Sequence, residues 1–247
     1  LFSYSHEISK IAMPRWRFDI LHSIDLVEDI AIGHGYEDLG KDVPKAPMTA
    51  IPIPDNNITR RIRDSMQGLG FMQIQSLTLS NDDDQFNLVR WPNVGEVTRI
   101  TNPITIDHTL LRQYLTPGLL RLLATNRHHD LPQSVYELGT VVREHRNSTR
   151  VAFLVAENSG GFAAVRGRVQ AFMRDLGASE YSIEPLPSGE GPWLAGRAAK
   201  VIVNGNHVGC FGEIDPLVSA QFELKVPISG AEFSVEQITN SISDPVS

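Results

Sequence analysis

Four carboxylates stand close together near the start of this chain: Asp19, Asp25, Glu28 and Asp29. Asp25, Glu28 and Asp29 are spaced i, i+3 and i+4, which puts them on one face of a helix. Asp19, on a preceding strand, is placed to reach the same spot. Such a group suits a hard divalent cation, since magnesium takes oxygen ligands and commonly keeps water beside one or two carboxylates. The same spacing has a plainer meaning: acidic side chains near a helix N-terminus offset its dipole. Spacing alone leaves both readings open. Elsewhere the chemistry is thinner. His128-His129 has metal-ligand residue types, but adjacent side chains diverge on a helix and a solvated helix end fits better. Gly160-Gly161 before a helix offers room for a phosphate, yet no Lys-Ser/Thr pair or third glycine accompanies it. Arg166, Arg168 and Arg174 read as an exposed helix face, and Cys210 as a small buried hydrophobe.

The elements that must position these residues alternate along 247 residues, enough for one large domain or a medium one with an appendage. A connector is expected over 40–56, where Pro44, Pro47, Pro52 and Pro54 disfavour helix and central strand, so a boundary falls near residue 45. Before it, RWRFDI (15–20) alternates as a short strand would, and a helix is expected from Asp25, its N-cap, to about Tyr36. After it, Ile58, Ile62, Met66 and Leu69 recur at helical spacing with Gly70 closing the helix. A strand over 71–79, a polar loop over 81–95, a strand near 96–101 and a long apolar helix over 109–127, notched by Pro117, follow. Strands are expected over 133–144 and 149–157, and an amphipathic helix over 160–177 with Phe162, Val165, Val169, Phe172 and Leu176 on one face. A hairpin turns at Asn204-Gly205-Asn206, and a last strand spans 226–235. This is a mostly antiparallel α+β pattern.

Composition narrows the function classes. The chain is 41% apolar and 21% charged, as ordinary globular proteins are. Its net charge of −7 disfavours a free-standing nucleic-acid binder with a basic face, though not a local contact within a larger complex. Apolar runs such as VAFLVA (151–156) are too short to cross a bilayer. No secretory signal is evident, and the single cysteine, Cys210, fits a reducing, cytoplasmic compartment. The opening Leu1 suggests a start inside a longer polypeptide.

The motifs themselves resemble a known family. Pro14-x-x-Arg17-x-Asp19-Ile20, then Asp25-Leu-Val-Glu28-Asp29 and Gly35-Tyr36, looks like the magnesium-binding module of phenylalanine–tRNA ligase β subunits. Asn102-Pro103-Ile104, Leu110-Leu111-Arg112, Pro117-Gly118-Leu119-Leu120 and Asn126-Arg127 resemble the β subunit's class II synthetase-like domain. Tyr136-Glu137-Leu138-Gly139, Gly209-x-Phe-Gly-Glu-Ile-Asp-Pro216 and Ala231-Glu232-Phe233 continue the match in order.

The resemblance implies a class II synthetase-like antiparallel sheet with flanking helices over 46–247. Residues 1–45 would be the C-terminal half of a small winged-helix-like module. It places a Mg2+ ion, shared with the α subunit, on Asp19, Asp25, Glu28 and Asp29, the last being commonly Glu in the family. It implies an assembly of two α and two β subunits that joins phenylalanine to tRNA(Phe) with ATP, with chemistry on α. A working class II site places cationic side chains on the nucleotide phosphates. Here Arg143 is followed by Glu144 and His145, so the family's Arg-x-Glu spacing fails, and SGAEFSVEQ holds no Arg for the third motif. The chain is therefore expected to scaffold rather than catalyse, and its extent resembles the archaeal and eukaryotic β type. The rival reading is a stand-alone synthetase-like paralogue that binds an amino acid or regulates another enzyme.

Overall fold

In the computed structural model, which describes residues 3–5, 10–40, 42, 54–178, 180–186 and 190–242, the chain divides into two units, Leu1–Ile51 and Pro52–Ser247. In the first, strand β1 (Ser3–Ser5) pairs antiparallel with β2 (Lys10–Ala12). Helix α1 spans Ser23–His34. Its cap is His22, not Asp25 as expected: the His22 ring accepts from the Ile24 N–H, while Asp25, at the third helical position, reaches back to the His22 N–H. This is a reciprocal capping box, which satisfies two otherwise orphan donors. Gly35 ends the helix at φ 103°, a conformation that glycine adopts without a Cβ clash.

The strand expected over 15–20 does not form. Those residues have no pairing strand to take their backbone groups, and the Arg17 N–H instead donates to Pro14 O across a turn. Most of the proline connector (Lys41 and 43–53) lies outside the described residues, and Pro54 already belongs to a helix.

The second unit opens with α2 (Pro54–Gly68), whose Ile58, Ile62 and Met66 are buried at four-residue spacing. Two fragments replace the expected strand over 71–79: β3 (Met72–Gln73) and β4 (Leu79–Ser80). The chain leaves the sheet between them because the Ser76 N–H and hydroxyl both donate to Glu137. The expected polar loop contains one π-helical turn, Asp83–Asn87, and only the Arg99–Leu110 bridge stands for a strand near 96–101. The long helix expected over 109–127 shrinks to α3 (Thr116–Thr125), preceded by β5 (Leu110–Leu111) paired to β4. Pro117 thus starts a helix rather than notching one, since its missing N–H costs nothing in a first turn.

Next, β6 (Gln133–Arg143) and β7 (Arg146–Ala156) form the expected hairpin around Glu144-His145, both at positive φ. Helix α4 (Phe162–Asp175) buries Val165, Val169, Phe172 and Met173. Strand β8 (Tyr181–Pro185), β9 (Trp193–Val203) and β10 (Asn206–Ile214) follow. The expected turn joins β9 to β10 at Asn204-Gly205, with φ 48° and 80°. Helix α5 (Pro216–Gln221), β11 (Ile228–Ser234) and α6 (Val235–Ser241) close the order.

Seven strands make one sheet, ordered β3-β6-β7-β11-β10-β9-β8, antiparallel except where β3 runs alongside β6. The α+β expectation holds. Alternation along β7 splits its side chains between two cores: Val151, Phe153 and Val155 pack with α2, α4 and α6, and Ala152, Leu154 and Ala156 with α3 and α5. No helix among the described residues is long and apolar enough to cross a membrane.

Candidate functional site

The first unit holds the four acidic side chains. Arg17 organises two of them: its Nε lies 2.8 and 3.0 Å from the two Asp19 oxygens, and its Nη2 lies 2.8 Å from Asp29 Oδ2. The Arg17 hydrogen bonds hold the Asp19 carboxyl below the usual carboxylate range, and those to Asp19 and Asp29 push the guanidinium up. Asp25 Oδ2 accepts from the His22 N–H at 2.7 Å and the Leu21 N–H at 2.8 Å. These two bonds, His22's foremost, lower its pKa. Glu28 is exposed and makes no ion pair among the described residues.

The helix therefore does carry Asp25, Glu28 and Asp29, and Asp19 does come back to Asp29, but through a guanidinium. Among the described residues no three His, Cys, Asp or Glu side chains are gathered closely enough to hold a metal as they stand. The donor chemistry fits a hard cation, and Asp19 and Asp29 already converge on a positive group. Arg17 is the partner that spacing arguments about carboxylates missed. The motif Arg17-x-Asp19 contained it, as a cation two residues from an acid.

In the second unit, the sheet face toward α3 is filled from within. Glu232 on β11 is buried, takes Arg150 Nε at 2.6 Å, and accepts from the backbone N–H of Leu115 and Thr116 and from the Thr116 hydroxyl. A carboxylate thus sits at the positive end of α3, where an anionic ligand would otherwise be favoured. On β6, Glu137 pairs with Arg112 at 2.8 Å and accepts 2.6 Å from the Ser76 hydroxyl. Arg112 lies across Gly139, where an added Cβ would come within 2.6 Å of its Nη2.

Arg143, the residue nearest in sequence to a catalytic arginine, is turned inward. Its guanidinium lies 4.8 Å from the Tyr114 ring centre, its Nε donates to Gln113 O, and burial lowers its pKa. Tyr114 in turn stacks on Trp91 at 4.1 Å and donates to Pro92 O, and burial pushes its phenol up to about 12. One nitrogen of this group is unsatisfied: Arg143 Nη2 is buried without a hydrogen-bond partner.

The lesser candidates resolve similarly. Glu213 accepts the Phe162 N–H at 2.6 Å, so a carboxylate already caps the helix after Gly160-Gly161. Arg168 pairs with Glu157, while Arg166 and Arg174 are exposed. His128 and His129 lie beyond the end of α3, and their rings meet at 4.3 Å instead of diverging. Cys210 is half-buried, 3.4 Å from His207 Nε2, and desolvation pushes its thiol up to about 12.

Comparison with known proteins matches residues 39–235 to the phenylalanyl tRNA synthetase beta chain CLM domain and residues 2–36 to the tRNA synthetase B5 domain. Among curated relatives, the phenylalanine–tRNA ligase beta subunit of Methanothrix thermoacetophila is 35% identical over 92% of this chain and 41% of its own length. That of Archaeoglobus fulgidus is 36% identical over 92% and 41%, and that of Korarchaeum cryptofilum 34% over 92% and 42%. The chain thus spans about two fifths of these relatives. A pyrrolysyl tRNA synthetase structure from Desulfitobacterium hafniense superposes with TM-score 0.60 at 14% identity, covering 94% of this chain and 83% of that one, a likeness of fold.

Proposed function

The chain belongs to the phenylalanyl-tRNA synthetase β-chain family, and from that premise we propose that it is a scaffolding part of a phenylalanine–tRNA ligase β subunit. In this reading residues 1–45 are the C-terminal half of a magnesium-binding module and residues 46–247 a synthetase-like domain without catalysis of its own. Its partner is the α subunit, in a cytoplasmic assembly of two α and two β chains that attaches phenylalanine to tRNA(Phe) with ATP.

One observation carries the non-catalytic half of the reading: Glu232 holds both Arg150 and the N-terminus of α3. That carboxylate already takes the cation and the helix N-terminus that a phosphate or carboxylate group of amino-acid activation would use on this face. Arg143 lies against the Tyr114 ring and donates through Nε to Gln113 O.

Asp19, Asp25, Glu28 and Asp29 would hold Mg2+ together with a ligand from α. Bound there, the ion would neutralise these carboxylates and tie the two chains together. Co-expression of the β chain with α, followed by affinity capture on either, tests the scaffold. The two are expected to co-purify, and ATP–pyrophosphate exchange by this chain alone is expected to stay at background. Phenylalanine-dependent exchange without α would overturn the reading.

A further inference from the structure

We propose that a groove at the end of the sheet remote from the β6–β7 turn binds a small amphipathic carboxylate, an acid group carried on an apolar body. The groove opens where the end of α3, the start of β6, the end of β7 and the segment after α5 meet, and it encloses about 640 Å3. Sites that bury most of a small ligand run to roughly 300–1,000 Å3. It is separate from the Glu232 pair: Glu232 lies opposite Ala152, and the groove begins at Ala156, roughly 13 Å further along β7 at about 3.3 Å per residue. Its floor is apolar, with Leu123, Ala156 and Leu224 buried and Leu131 and Val226 packed against the same core. Its walls are tied down. Gln133 Nε2 donates to Asn126 O at 3.0 Å and to His129 O at 3.2 Å, which fixes the segment after α3. The Leu224 N–H donates to Ser219 O and the Glu157 N–H to Pro227 O, which fixes the segment after α5. A site already held in shape loses little conformational freedom when a ligand enters.

Charge selects the ligand. In a chain of net charge −7, the rim of this groove carries Arg127 and Lys225 against one carboxylate, Glu223. Arg127 and Glu223 meet at 2.7 Å, but both side chains are largely exposed, so neither is held tightly. Lys225 makes no ion pair among the described residues. A carboxylate on the rim balances that surplus cation while its apolar body covers the leucine floor. A neutral ligand of the same shape gains the floor alone. The ends of α3 and α5 near the groove favour cations of their own accord. A groove shaped only by those helix ends would prefer an amine, the opposite sign from the one proposed.

The test is saturation-transfer NMR on the whole chain, with octanoate as the probe and octylamine and octanol as its cationic and neutral matches. Ala220→Trp fills the groove from the exposed end of α5, and binding is counted as the transfer that this change removes. Lys225→Gln and Arg127→Gln each take one cation off the rim, and circular dichroism verifies the fold of every variant. Octanoate is expected to bind the wild type with a Kd on the order of 1 mM, as suits so small a ligand. Each rim change is expected to weaken octanoate about threefold, the scale of one exposed ion pair. Octylamine and octanol are expected to bind at least about threefold more weakly than octanoate, on the same scale. Wild type that shows no octanoate transfer sensitive to Ala220→Trp overturns the site. Octylamine or octanol binding as tightly as octanoate, or octanoate affinity unmoved by both rim changes, overturns the choice of a carboxylate. If Ala220→Trp does not fold, the two exposed rim variants decide, and octanoate affinity unmoved by both overturns the proposal.

Discussion

Replacing Glu232 with Gln removes one charge from one of the two most enclosed ion pairs among the described residues while keeping the side chain's shape. Glu232 is 1% exposed and Arg150 8%, with 2.6 Å between Nε and Oε1. Truncating one partner of such a pair leaves the other charge buried and costs about 3–5 kcal/mol. Glutamine keeps one acceptor for Leu115, Thr116 and the Thr116 hydroxyl, so the lower end, about 3 kcal/mol, is expected. For a unit of this size that corresponds to a fall in Tm of roughly 6–12 °C. Urea unfolding of the chain, read by tryptophan fluorescence, gives the free energy, and a thermal melt gives Tm. A cycle adding Arg150→Met and the double variant isolates the pair. Coupling of about 2 kcal/mol is expected, because the double change removes the orphaned charge. A loss below about 1 kcal/mol for Glu232→Gln, or no coupling in the cycle, would refute the reasoning that a self-satisfied carboxylate fills this face.

Three single positions give further outcomes. A Cβ added at Gly230 would sit 2.1 Å from Phe153 O in the middle of the sheet, so Gly230→Ala is expected to cost about 1–3 kcal/mol in urea unfolding; a neutral result contradicts the strand packing. The Cys210 thiol, raised to about 12 by burial, is expected to resist alkylation at pH 8 until the chain is unfolded. Because its folded pKa lies above the unfolded value, its contribution is intact below about pH 9 and is lost as pH rises toward 12; Cys210→Ala should flatten that alkaline decline. Arg99 hydrogen bonds depress the Asp82 pKa, so this pair stabilises above the unfolded carboxylate value and fades as pH drops through the lower folded one. Asp82→Asn should therefore remove a small acid-side slope, worth well under about 1 kcal/mol at this exposed pair, seen in melts from pH 5 to pH 2.

Much of the frame was legible before any coordinates. Asn204-Gly205 set the β9–β10 turn, since both positions take positive φ, and the spacing of Val165, Val169 and Phe172 set the buried face of α4. Motifs in fixed order carried the family assignment that the comparison bears out. These are local signals: a turn type, a period, a short run of residues. What sequence reasoning misplaced was decided by contacts distant along the chain. The apolar run over 109–127 has helical periodicity throughout, yet its first part is drawn into extended structure because Arg112 is claimed by Glu137 and Gln113 hydrogen-bonds at Gln85 and Val94. Strand 71–79 breaks because Ser76 answers to Glu137, 61 residues away.

The sequence by itself determined which residue types were available: four carboxylates near one helix, an arginine beside them, and no arginine in the last strand segment. Only the tertiary structure decided how their charges are spent. Arg17 reaches Asp29 twelve positions away, and Glu232 reaches Thr116 across 116 positions. For Glu232 burial supplies the physical reason, since a desolvated carboxylate must find its partner wherever the fold brings one.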